Sequence, residues 1–561
     1  MLAFQFLCSS VISVTLLLPS ALAASQIINI TFPEKPTATL IPNVVEDHFI
    51  GVSYELSPFD SLWGKSVTRQ PAAMQNYMAN LAARMSKPLR IRLGGNGMDS
   101  SRYIPTLTTP LQVIDDTGFN TIRTNFSPKL VDILDGMMQK VGKMQFYLGL
   151  STVYPDGFDD MAQFALYAKE KLGDSLDALL LGNKPDLYNS HGLRPGYGIE
   201  DYIPEIETYL DKLKDVGAIG DEPMAAGPTT CCGWDVIDVL DAGLDKLPYK
   251  YYTTQQYPHN ICQGPNVQNT NITHFITHAN VEPYLTGQKV AMKRMEELGV
   301  PLILSEFNSV SCGGSNISDT FAMSLWVADV GLKAASLNYS AVFIHTREQN
   351  IAYNLFDPPS PERSLEPDWR TGSPYYGALF LSEVTSDGGN VVIDLNLNNS
   401  NTNQLSTIAG YAIYDDAGAT RGKLALFNFG SSEEEAFNLP PGLAHTITVR
   451  MLLAPNIYER TEISWAGQTV RENGILMGDQ ANIEMNCEKG CRVHVPGPSA
   501  ALVALDEAST RLFTGDSTVQ ALRGDQGEES AGMRRVASAM AQLVLGMLGA
   551  FVWGLISFGG W

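Results

Sequence analysis

The sequence predicts an α/β fold, a (β/α)8 TIM barrel followed by a C-terminal all-β sandwich domain. Two observations carry the prediction. Eight apolar runs of strand length recur with amphipathic helical segments between them, and eight is the strand number of the closed barrel. After about residue 375 the pattern changes to short strands broken by Gly, Pro, Asn and Asp turns. A length of 561 residues allows two such units, and an apolar content of 44% supplies their cores.

The eight runs are 49–56 (FIGVSYEL), 89–94 (LRIRLG), 145–151 (QFYLGLS), 177–182, 224–228, 249–257 (YKYYTTQQY), 301–305 (PLILS) and 341–345 (AVFIH). Ser127-Pro128 reads as an N-cap with proline at the first helical position, opening a helix that Gly142 closes. Segment 200–217 spaces Ile203, Ile206, Leu210, Leu213 and Val216 at helical period. Beyond 375, segments such as GYAIYDD, GKLALFNFG, TITVRMLLA and CRVHVPG read as strands, with no further helix expected before the tail. The expected division is a signal peptide at 1–23, an N-terminal strand segment at 24–48 joining the β domain, the barrel at 49–374, the sandwich at 375–508, a flexible stalk at 509–535 and a hydrophobic tail at 536–561.

The ends of the chain read as addresses. VISVTLLL followed by Ala21-Leu22-Ala23 fits a secretory signal, although no Lys or Arg precedes it. Glycosylation sequons at Asn29, Asn271, Asn316, Asn338 and Asn398 agree with an extracellular protein; the one at Asn125 is followed by Pro128 and ranks lowest. Once Cys8 is removed with the signal, six cysteines remain: Cys231, Cys232, Cys262, Cys312, Cys487 and Cys491. An even number suits an oxidising compartment, with pairing left open. For Cys487 and Cys491 a short local disulfide is preferred to a metal site, since no His cluster accompanies them. No metal or cofactor is expected. The tail is long enough to span a bilayer, but Arg534 and Arg535 precede it and no charge follows. That order fits a GPI-anchor signal attached near Ser530, with a transmembrane anchor as the alternative. A net charge of −22 argues against nucleic acid as a partner. It does not exclude an acidic sugar, for which a local basic pocket suffices.

The chemistry sits at two strand ends. LLLGNKPDLY stops at Asn183-Lys184-Pro185, and PLILSEFNS stops at Glu306. Residues at the C-terminal ends of barrel strands face the mouth where active sites form. Asn-x-Pro after strand four and Glu on strand seven is the order of the large barrel clan of retaining glycosidases. More specifically, RLGGNGMD at 92–99, LGNKPDLY at 181–188, QQYPHN at 255–260 and LSEFNSVSCGG at 304–314 resemble glycoside hydrolase family 79, the β-glucuronidase and heparanase-like family. The resemblance covers roughly residues 26–510. It implies a barrel with a β-sandwich, Glu306 as nucleophile, Asn183 on the sugar 2-hydroxyl and Tyr257 holding the nucleophile. It also implies Asn96 near the sugar and Gly313, in the loop Ser311–Gly314, near the sugar's carboxylate. The implied ligand is a glucuronic-acid-containing oligo- or polysaccharide, with membrane contact only through the C-terminal anchor.

Lys184 departs from the family, which has its acid/base glutamate there. A retaining glycosidase sets two carboxyl groups about 5–5.5 Å apart. A lysine and a glutamate at ~5 Å attract by about 3 kcal/mol at an effective dielectric of ~20. A lysine so held is a poor acid for an alkoxide and a poor base for water. No replacement is evident in the sequence: Asp186 lies two residues on, and Glu200 and Glu205 lie beyond a loop. Two readings follow: a β-glucuronidase-like hydrolase with weakened chemistry, or a pseudoenzyme that binds acidic glycans. A Schiff-base lysine is a remote third, disfavoured by the surroundings.

Overall fold

Eight parallel strands close into a barrel in chain order: β1 (Ile50–Glu55), β2 (Leu89–Gly94), β3 (Met144–Leu150), β4 (Leu176–Leu181), β5 (Ala225–Thr230), β6 (Tyr249–Gln256), β7 (Leu302–Phe307) and β8 (Tyr339–Thr346). All eight coincide with expected runs. This computed structural model describes residues 27–36, 43–115, 122–359, 369–431, 433–509 and 511–514. The expected signal segment, Ser530 and the hydrophobic tail lie outside those residues.

The barrel strands are rich in apolar residues and mostly buried because both faces are covered. Tyr147, Ala178, Leu180, Ala226, Ile303, Ala341 and Phe343 fill the interior. The alternate residues, such as Leu148, Leu179 and Leu304, pack outward beneath the helices. Several barrel strand pairs carry register shifts, and the one in β7 matters for the site. Thr253 pairs with Ile303 and Thr254 with Leu304, but Gln255 pairs with Glu306, so Ser305 is an extra residue in β7. This bulge resets the side-chain parity and turns Glu306 inward, where strict alternation from Ile303 would face it outward.

The two expected helices are present at Lys129–Val141 and Ile199–Asp215. The first starts slightly later than read. Pro128 is its cap position, and the Ser127 hydroxyl accepts the Lys129 N–H at 3.3 Å. Gly142, at φ 120°, ends it. A three-stranded sheet of Arg102–Tyr103, Leu111–Asp115 and Arg123–Phe126 lies between β2 and that helix and was not expected.

The boundary at 375 needs correction. Pro374–Val384 is a helix, not the first part of a β domain, and every one of its residues is buried. It packs on helix Phe321–Ser336, where Gly331 lies against Leu381. Its Phe380 also meets Phe427 and Trp465 of the β domain, with ring centroids 5.8 and 5.1 Å apart. A second helix, Asp506–Ser509, follows the last strand.

The β domain begins at Asn390. Its large sheet runs in the order Val44–Val45, Asn390–Asp394, Ile408–Asp415, Thr420–Asn428, Ser499–Leu505, Thr446–Leu453 and Ser464–Trp465. A three-stranded sheet covers one face. In it Ile27–Asn29, from the expected N-terminal strand segment, pairs in parallel with Glu435–Leu439, which pairs with Cys491–Val495. Strand alternation shows both faces of the large sheet at work. Leu424 and Leu426 enter the core between the sheets, while Ala425 and Phe427 join the core shared with the barrel.

Barrel and β domain are pinned by a buried charge network. The His278 ring places Nδ1 2.8 Å from Asp329 Oδ1 and Nε2 3.1 Å from Asp394 Oδ2. Lys333 reaches the same Asp394 oxygen at 2.7 Å. Burial alone would lower the His278 pKa, but Asp329 and Asp394 on either side lift it to about 10. Burial likewise opposes ionisation of Asp394, yet His278 and Lys333 pull it to about 2. The His278 contribution to stability is therefore full below its unfolded value of 6.5 and is lost as pH rises through about 10. His278→Gln should cost about 3 kcal/mol near neutral pH, because two buried carboxylates lose their shared cation. Thermal unfolding from pH 6 to 10.5 should show a steep alkaline decline in the parent and a shallower one in the variant.

Candidate active site

Glu306 is almost wholly buried and its carboxylate is fully engaged. Arg92 on β2 donates to Oε2 at 2.6 Å. On Oε1, Lys184 donates at 2.9 Å and the Tyr257 hydroxyl at 2.8 Å. His345 at the end of β8 lies 3.9 Å from Oε2. Burial pushes the Glu306 carboxyl up, but His345, Lys184 and Arg92 outweigh it and hold the group well below the usual carboxylate range. Burial and the adjacent Glu306 charge keep the Tyr257 phenol well above its usual value, so it stays a donor.

Asn183 is oriented from three sides. Its Oδ1 accepts from Arg92 and from Gln255, each at 2.6 Å. Its Nδ2 donates to Asn96 Oδ1 at 2.8 Å. The backbone N–H of Asn183 is held by Asp99 Oδ2 at 3.2 Å, and the other Asp99 oxygen accepts Thr152 N–H at 3.0 Å. Tyr188 also donates to Asp99. Burial lifts the Asp99 carboxyl to about 7 despite these donors. One carboxyl thus fastens the loops after β2, β3 and β4.

Lys184 itself sits in the left-handed region at φ 53° and opens the short turn Pro185–Leu187. Its N–H reaches Thr229 O at 3.2 Å, while the Thr229 hydroxyl donates to Gly182 O at 2.8 Å. The end of β5 therefore fixes the lysine's backbone. Its ammonium lies 5.8 Å from the Tyr257 ring centroid.

The carboxylates that follow Lys184 in sequence are engaged elsewhere or exposed. Asp186 Oδ2 accepts the N–H groups of Cys231, Cys232 and Gly233 at 3.2, 2.9 and 2.6 Å. Glu205 is clamped by Arg194 through two contacts of 2.5 Å, and Glu200 is exposed. Glu55, at the end of β1, accepts from Gly97 N–H and lies 3.4 Å from His345 Nε2. The glycines of RLGGNGMD serve this carboxylate, since a Cβ at Gly95 would run into it.

Of the residues singled out in the sequence, Glu306, Lys184, Asn183, Tyr257 and Asn96 come together. Gly313 accepts Ala352 N–H on its carbonyl at 3.1 Å, in a loop joined to the one after β6 by the Cys262–Cys312 disulfide. The other pairs are Cys231–Cys232 and Cys487–Cys491, the latter as expected. Asp186 with Cys231 and Cys232 is the only grouping of metal-ligand type among the described residues, and its two sulfurs are bonded to each other. Asn29, Asn271, Asn316 and Asn398 are exposed and Asn338 half-buried. No helix among the described residues is long and apolar enough to cross a membrane. Sequence reading missed Arg92, Gln255, His345 and Asp99. Arg92 was detectable as one of two charges, with Arg90, inside a short barrel strand.

Residues 410–502 match the glycosyl hydrolase family 79 C-terminal beta domain. The chain is 25% identical over 524 residues to a beta-glucuronidase of Aspergillus niger, covering 82% of this chain and 90% of that protein. In fold it matches a 4-O-alpha-L-rhamnosyl-beta-D-glucuronidase of Fusarium oxysporum with TM-score 0.72 and 18% identity, covering 85% of this chain and all of that one. A family 51 alpha-L-arabinofuranosidase of Bifidobacterium longum matches with TM-score 0.57 and 11% identity, over 85% of this chain and 99% of that one. The resemblance to glycoside hydrolase family 79 read from the motifs holds in the β domain and along the chain.

Proposed function

We propose that the chain is a β-glucuronidase-like retaining glycoside hydrolase in which Glu306 is the nucleophile and the acid/base position is occupied by Lys184. The observation that carries this reading is the ionised, fully oriented Glu306 carboxylate at the barrel mouth, beside an Asn183 amide fixed by three neighbours. Arg92 and Tyr257 keep the carboxylate charged and aimed. Attack on the anomeric carbon gives a glycosyl ester, and the leaving oxygen departs with the bonding pair. With its oxygen occupied, Asn183 offers its remaining amide hydrogen to the sugar 2-hydroxyl, a contact that strengthens in the transition state.

What this chain lacks is the proton. A charged lysine 2.9 Å from the nucleophile neither protonates an alkoxide readily nor takes a proton from water. Glycosides whose leaving groups depart unaided are therefore the substrates it can open, and the ester should be long-lived. The same ion pair supports a second reading, a cleft that holds acidic glycans without cleaving them. The five sequons with exposed or half-buried asparagines and the three disulfides support secretion. Surface attachment through a GPI anchor near Ser530, and glucuronate carboxylate contact by the loop carrying Gly313, are proposals resting on the sequence motifs.

A 2-deoxy-2-fluoro-β-glucuronyl fluoride tests the nucleophile, because fluoride needs no acid and the fluorosugar slows ester breakdown. Mass spectrometry should find one added glycosyl group, on the peptide containing Glu306. No adduct, or an adduct on another residue, would count against the assignment.

A further inference from the structure

The loop after β5 carries two adjacent cysteines, Cys231 and Cys232, bonded to each other. They sit on a carboxylate from the loop after β4. Asp186 Oδ2 accepts the N–H groups of Cys231, Cys232 and Gly233, which fixes the backbone of both cysteines around it. Gly233 permits the approach, because a Cβ there would stand 2.4 Å from the Asp186 carbonyl oxygen. The other carboxylate oxygen is left over. Asp186 is 8% exposed, and its buried Oδ1 has no hydrogen-bond partner among the described residues. Burying a carboxylate oxygen without a partner is unfavourable, and a cation bound there would relieve it.

One Asp186 oxygen and the two sulfurs lie within 4.8 Å of one another. Two thiolates on one zinc ion stand about 3.8 Å apart, given Zn–S bonds of about 2.3 Å and tetrahedral angles. The three donors therefore need only side-chain adjustment to meet one ion, once the sulfurs are no longer joined. Two thiolates and a carboxylate suit zinc or a softer divalent ion, whereas calcium and magnesium take oxygen donors. The three N–H groups on Oδ2 would orient the carboxylate, as outer hydrogen bonds do in metal sites. Cys231 lines a cavity of about 510 Å³, which leaves room for water as a fourth ligand.

Cys232 is exposed, so a small-molecule thiolate can attack its sulfur, forming a mixed disulfide and expelling the Cys231 thiolate. A second thiol then displaces the mixed disulfide, leaving two cysteine thiols and one oxidised small disulfide. Because the bridged residues are neighbours in sequence, the bond closes no long loop and its loss frees little chain. Each thiol gives up its proton as it binds the metal.

We propose that Cys231, Cys232 and Asp186 form a redox-gated metal site, closed as the disulfide and open to zinc or a similar divalent ion as the dithiol. Nothing in it depends on the chemistry of Glu306.

Cadmium is the probe, since its bonds to thiolate absorb in the ultraviolet. The full chain is reduced with a phosphine, desalted and titrated beside the unreduced protein, Asp186→Asn and the double variant Cys231→Ser/Cys232→Ser. The reduced parent should bind one cadmium ion per chain more than the reduced double variant, which measures the background from the remaining cysteines. Asp186→Asn keeps an acceptor for the three N–H groups but turns an amide nitrogen to the metal, so affinity should fall by about tenfold or more. Zinc should raise the Tm of the reduced parent and not that of the double variant, which separates a folded site from thiols exposed by unfolding. Equal cadmium uptake by reduced parent and double variant would overturn the proposal. So would uptake that needs no reduction, affinity undiminished in Asp186→Asn, or no zinc-dependent rise in Tm.

Discussion

Lys184→Glu should raise hydrolysis of an unactivated glycoside such as methyl β-glucuronide by ~10²–10⁴-fold, the usual worth of general acid–base help. The surroundings already suit a carboxylic acid. The loop is fastened by Asp99 and Thr229 through backbone atoms, which the substitution leaves in place. Glutamate inherits the same left-handed backbone at φ 53°, so no new strain enters there. Near an ionised Glu306, the new carboxyl would hold its proton to higher pH, as a catalytic acid must. The variant should therefore gain an alkaline limb in its kcat/KM profile that the parent lacks. Steady-state rates across pH 4–8 check both points. An unchanged rate in a folded variant would mean that something other than proton transfer is missing.

Glu306→Gln should abolish covalent chemistry and also destabilise the fold, by about 3–5 kcal/mol, because it strips the carboxylate from buried Arg92 and Lys184. Side-chain exposures of 2% for Arg92 and 15% for Lys184 leave little water to compensate. Adding Lys184→Met should recover part of that loss, since one orphaned cation is removed. A double-mutant cycle of denaturant unfolding measures the coupling. The acid limb gives an independent sign. The folded-state pKa of Glu306 is depressed, so its contribution is present above the unfolded value of 4.5 and lost as pH falls toward the depressed one. Stability in Glu306→Gln should accordingly fall less on acidification than in the parent.

Much of this architecture was readable because parallel barrel strands, covered on both faces, appear as apolar-rich runs bounded by turns. The helix Pro374–Val384 was not, for the same reason in reverse. Its residues PYYGALFLSEV are all buried, so no polar face marks a helical period. The β-domain strands showed their turns, whereas packing of the large sheet against the barrel as well as its own partner sheet left no alternation to read. At the site, Glu306, Asn183, Tyr257 and Lys184 were marked by strand ends and motif. His345 lay hidden in the run AVFIH, and Gln255 beside a tyrosine that drew attention first. The bulge at Ser305 could not be foreseen, because it shows only in the pairing of β7 with its neighbours β6 and β8. Gly313 belongs to a loop whose position depends on the Cys262–Cys312 link, and pairing was open in the sequence.

The most direct measurement is rapid mixing of the parent with 4-nitrophenyl β-glucuronide, with and without azide, beside Glu306→Gln. Nitrophenolate leaves without a proton, and azide attacks the glycosyl ester without a base. The expected result is a burst of about one equivalent of nitrophenolate per protein, slow turnover that azide accelerates, β-glucuronyl azide as product, and none of these in Glu306→Gln. Absence of a burst and of azide acceleration in the parent, with Lys184→Glu equally silent, would contradict Glu306 as a surviving nucleophile.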